Sequence, residues 1–190
     1  MLAAMAFTLT SCGDDDDDEP SGSENGKLTV NGVTAGTDEI GLPTSYAQVG
    51  IIADWGHDYD DSSIHTYIKG YGCGFHLHFV YKDVYYKMGL STLIYPTTQK
   101  DDSILAQLKT YDWVKNGSIA LESVTLQRID AGPLDNDVKD WTGTISIVGK
   151  TKGTITLQFN NFVIDSKNAD MDMIGDNEFR FNGTVSFEQW

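Results

Sequence analysis

His76-Leu77-His78 sets two imidazoles two residues apart, and on a β-strand that spacing turns both rings to one face. Such a pair can share a transition metal, with Asp83 as a nearby carboxylate, or one ring can ligate haem. Histidines on the wet face of a sheet explain the same pattern with no metal at all. A second candidate is Asp54-Trp55-Gly56-His57-Asp58-Tyr59-Asp60-Asp61, whose carboxylates suit calcium, a hard cation that wants several oxygens. The spacing is not that of an EF-hand, since Asp58-x-Asp60 lacks the glycine and the distant glutamate. Asp170-x-Asp172 with Gly175, Asp176 and Glu178 fails the same test, and solvated acidic loops are the other reading of both stretches. The third candidate is aromatic. Flat rings with a polar handle stack on the C–H faces of sugars while Asp and Asn take the hydroxyls. Trp55, His57, Asp58 and Tyr59 form the densest local cluster for that purpose, against the alternative that β-proteins simply pack many rings.

The surroundings of the two histidines extend the first candidate. Gly70, then His76-x-His78, then Asp83 and Gly89, is similar to the first motif of the cupins. That resemblance implies a metal held by His76, His78 and Asp83. The chain has Asp where cupins have Glu, and no His follows His78 to supply the second motif's imidazole. No Gly-x-Ser-x-Gly, P-loop or dinucleotide fingerprint occurs, and paired carboxylates in sequence do not fix the separation that glycosidase chemistry requires.

Leu9-Thr10-Ser11-Cys12 stands ahead of the acid run Asp14 to Glu19. The four residues resemble the lipobox of bacterial lipoproteins, and the acid run resembles the surface-export signal of Bacteroidota lipoproteins. The resemblance implies a signal peptide over residues 1–11, acylation of Cys12, and display on the cell-surface side of the outer membrane. Two or three acyl chains, at about 0.8 kcal/mol per buried CH₂, anchor a protein stably where one chain does not. Residues 1–8 are apolar but lack the basic flank of an ordinary signal peptide. Residues 12–26 read as a solvated tether, because adjacent carboxylates repel one another. Residues 27–190 then make one domain.

The formal net charge is −15, and the six carboxylates of the acid run account for part of it. That balance excludes a basic footprint for nucleic acid and disfavours anionic lipid headgroups, leaving membrane attachment to the acyl anchor. No continuous apolar run downstream is long enough for a transmembrane helix. With Cys12 acylated, Cys73 has no partner within the chain and reads as a small buried hydrophobe.

The elements that must position these residues are strands. Asn31-Gly32 between Leu28-Thr29-Val30 and Val33-Thr34 signals a tight hairpin. Apolar and polar residues alternate through Phe75-His76-Leu77-His78-Phe79, Ile155 to Phe159 and Phe179 to Phe187. The glycines from Gly70 to Gly74 predict either a sharp bend or the close approach of another backbone. One short helix is expected from Asp102, as its cap, to Lys109, and one strand with a bulge from Ser118 to Arg128. Eight or nine strands, wet on one side, predict an antiparallel β-sandwich of jelly-roll or immunoglobulin-like type, with a closed barrel as the alternative. Gly153 to Phe159 and Phe181 to Phe187 look like the closing strands of small Bacteroidota β-lipoproteins. The function expected is a non-catalytic surface module for a glycan or another outer-membrane component. A structural subunit of a surface complex or pilus-type assembly, and a metal-dependent cupin-like enzyme, are the rivals.

Overall fold

The computed structural model describes residues 27–57, 64–131, 136–165 and 178–190. Eleven strands run in chain order: β1 (Thr29–Val30), β2 (Val33–Thr34), β3 (Tyr46–His57), β4 (Ile64–Tyr81), β5 (Val84–Pro96), β6 (Gly117–Ser118), β7 (Ser123–Arg128), β8 (Asn136–Val138), β9 (Trp141–Lys150), β10 (Thr154–Asp165) and β11 (Glu178–Gln189). The one α-helix among the described residues, α1 (Asp102–Leu108), lies between β5 and β6. The strands make one open sheet in the order β6-β9-β10-β11-β3-β4-β5-β7-β8, with the β1–β2 hairpin added to the side of β11. It does not close into a barrel. Neighbours are antiparallel except at β11 and β3, which pair in parallel through Glu188↔Tyr46 and Gln189↔Ala47. The sheet is therefore mixed, not wholly antiparallel.

The core forms where β4 and β5 cross β11. Phe75 meets Phe187 edge-on at 5.5 Å between ring centroids, Phe79 meets Phe181 at 5.6 Å, and Tyr86 meets Phe179 at 5.5 Å. Every second residue of β4 from Tyr71 to Tyr81 is buried, as strand periodicity requires of an inward face. Ile155, Leu157 and Phe159 supply the facing layer from β10. There a bulge between Phe159 and Phe162 shifts the phase, so Phe162 and Ile164 also point inward.

Two local expectations change, and of the two readings of the glycine run the close approach applies. β4 continues through the run, with register shifts against β3 and β5 beside Gly70 and Gly72. A Cβ at Gly72 would stand 2.3 Å from the carbonyl oxygen of Thr92 and 2.6 Å from Ile52, so only glycine lets β5 and the Ile52 side chain come that close. The helix cap is Asp101, not Asp102: its Oδ1 accepts from the backbone N–H of Ser103 at 2.8 Å. Ser118 to Arg128 is two strands with a gap, because Gly117 and Ser118 pair with β9 while Ser123 onward pairs with β5. The Asn31-Gly32 turn forms as expected, with φ of 50° and 77°.

Cys73 is fully buried, and that burial pushes its thiol up to about 12. A thiol so protonated and enclosed does not attack electrophiles. Peptide mapping after iodoacetamide at pH 8 is expected to find Cys73 unmodified in the native protein and alkylated in urea. Modification at equal rates in both would mean that β4 opens freely.

Candidate functional site

The outer face of β3 and β4, away from the core, carries a ladder of rings. Tyr46 begins β3 directly opposite His76 of β4, and the two rings stack at 4.5 Å with 22° between planes. The ring of Tyr46 also lies 6.3 Å from that of His78, two residues along the same face. Trp190 in turn tilts against Tyr46 at 5.3 Å. Four residues from three separate parts of the chain thus form one aromatic strip.

The outer end of this strip is fixed through its backbone. The Trp190 N–H donates to the carbonyl of Ala47 at 3.0 Å, and the Tyr111 hydroxyl donates to the carbonyl of Trp190 at 2.7 Å. That tyrosine is itself buried, with φ of 58°, and lies just beyond α1. The side chain of Trp190 is left free of this clamp, and the residue is 70% exposed. A large ring held in water by a hydrogen-bonded backbone keeps its apolar face available at reduced entropic cost.

The inner end is different in character. His78 is 6% exposed, and its backbone N–H donates to the Ser45 hydroxyl at 3.0 Å. Desolvation, then the nearby positive charges of Lys87 and His76, lower its pKa below the ordinary value for histidine. The ring is thereby held neutral at pH 7, and its Nδ1 is buried with no hydrogen-bond partner among the described residues.

The structure brings His76 and His78 to one face, as their spacing predicts, but does not bring Asp83 to them. Asp83 sits at the β4–β5 turn with φ of 62°, three register pairs beyond His78↔Lys87. Among the described residues no group of three or more His, Cys, Asp or Glu is placed to hold a metal ion. Trp55 and His57 are in β3, paired in backbone register with Thr66 and Ile64. Asp58, Tyr59 and Cys12 lie outside the described residues. Trp113 is half-buried, its indole N–H donating to the carbonyl of Leu108 at 2.9 Å, and Trp141 is half-buried against the core.

Tyr46 and Trp190 carry the strip, and no sequence pattern singles them out. Their meeting depends on the parallel β11–β3 pairing, which joins residues far apart in the chain. No helix among the described residues is long and apolar enough to cross a membrane. No protein-family model, no curated protein and no solved structure matches the chain.

Proposed function

We propose that this chain is a non-catalytic glycan-binding module, held at the outer-membrane surface of a bacterium by an acylated Cys12. The observation that carries the reading is the exposed ring of Trp190 continuing into Tyr46 and His76. Neighbouring rings offer a sugar chain several apolar faces in a row, and Gln48, exposed on the same stretch of β3, supplies amide donors and acceptors beside them. The acidic character of the chain favours a neutral glycan over a polyanionic one, through like-charge repulsion.

Affinity electrophoresis through gels containing neutral polysaccharides tests this reading. Retardation is expected on at least one of them, with Trp190→Ala weakening the interaction about tenfold or more, as truncating an exposed anchor ring does. Trp190→Phe is expected to retain most of it. No retardation on any polysaccharide would remove the glycan reading. The anchor is tested separately: Cys12→Ala is expected to move the protein from the membrane to the soluble fraction.

A further inference from the structure

We propose that a second saccharide site, taking one neutral sugar residue, lies in the cleft of about 610 Å³ near Ile52 of β3. Its size falls within the roughly 300–1,000 Å³ of small-ligand sites. The buried side chains of Val124 and Val138 reach it from β7 and β8, and the half-buried Trp141 stands in its lining. The half-buried indole of Trp141 offers a face on which the C–H bonds of a pyranose can settle.

The polar lining decides the class of ligand. Lys69 and Glu122 are joined at 2.7 Å across β5, and Asp137 and Lys139 stand on either side of Val138 in the sequence. Two ammoniums and two carboxylates cancel, within a chain whose formal charge is −15. An acidic sugar would bring a third carboxylate against Glu122 and Asp137, and an amino sugar a third ammonium against the lysines. A hydroxyl both donates and accepts, so a neutral polyol bridges lysine and carboxylate in turn and leaves no charge uncompensated.

This site shares with the reading above the premise that the chain binds carbohydrate, but none of its residues belongs to the Tyr46–Trp190 strip. Tyr46 and Ile52 are six positions apart on β3, about 20 Å at roughly 3.3 Å per residue. The two places are therefore separable by experiment.

The chain has four tryptophans, so a ¹H–¹⁵N spectrum of the whole protein reports each indole N–H as its own signal. The probes are the methyl glycosides of glucose, galactose, mannose and N-acetylglucosamine, with glucuronate and glucosamine as charged counterparts. The Trp141 signal is expected to move with at least one neutral glycoside, at concentrations about tenfold below those needed for the charged sugars. Glu122→Gln and Lys139→Ala are each expected to raise that concentration about tenfold, the effect of losing one charge-assisted hydrogen bond. A Trp141 signal unmoved by every neutral probe overturns the proposal, as does equal or tighter binding of a charged sugar, or a response unchanged in both variants. Movement of Trp190 alone leaves the ring strip standing and removes the cleft. Movement of Trp141 alone does the reverse.

Discussion

Phe181→Ala is expected to lower the unfolding free energy by about 3–5 kcal/mol, the cost of emptying a fully buried aromatic site. The side chain has no exposed surface, and its ring stands within about one ring's width of four others: Phe79 across the layers at 5.6 Å, and Phe159, Phe162 and Phe179 at 6.1, 6.2 and 6.4 Å. Rings cannot collapse into the hole without leaving their own contacts, so the cavity persists. Against a typical domain stability of about 5–15 kcal/mol, that loss brings the protein near its unfolding threshold. Urea denaturation should show the midpoint falling with the slope unchanged. Phe181→Leu, which keeps much of the volume, should cost well under half as much. A loss below about 1 kcal/mol for the alanine variant would mean that β4 and β11 do not share a core.

Gly183→Ala should be nearly as damaging for an unrelated reason. The residue has φ of +111°, and a Cβ there would lie 2.1 Å from the carbonyl oxygen of Lys27. Backbone strain alone costs on the order of 1–3 kcal/mol, and the clash must be relieved by moving β1 off β11. The hydrogen bonds that hold the hairpin are then lost: Asn31 N–H to the Arg180 carbonyl at 2.9 Å, and the Asn31 side chain to the Glu178 carbonyl at 2.9 Å. Hydrogen exchange at Asn31 is expected to accelerate by orders of magnitude, while amides of β9 and β10 stay protected. Gly50→Ala serves as the control, since nothing lies within 4 Å of a Cβ at that position. If Gly183→Ala is as stable as Gly50→Ala, the seating of β1 described above is wrong.

What the sequence reveals here is set by the range of the interaction. Alternation shows which residues of a strand share a face, so the inward set Phe75, Leu77 and Phe79, and the outward set His76 and His78, are readable from five consecutive letters. The Asn31-Gly32 turn is equally local. Which strands lie beside one another is not local, and the strip depends on it: Tyr46, His76 and Trp190 meet only because β3 pairs with β4 on one side and β11 on the other. The glycines of β4 leave two readings open for a related reason. Only the neighbouring strands decide for close approach, with Ile52 and Thr92 pressing on Gly72 from either side. The cleft joins residues from before β7 to the start of β9 with two from β3 and one from β4, a set with no common spacing.

The two-residue seam at Glu188↔Tyr46 also governs when the protein can fold. A ribosome makes β3, β4 and β5 early, and these can zip together in order, yet Phe75 and Phe79 lack the rings of Phe187 and Phe181 until β11 emerges. Closing a loop between positions 46 and 188 costs chain entropy before any contact repays it, which slows the final step. In a nascent chain of this design the seam between β3 and β11 is among the latest contacts to form, because its two halves are made far apart in time.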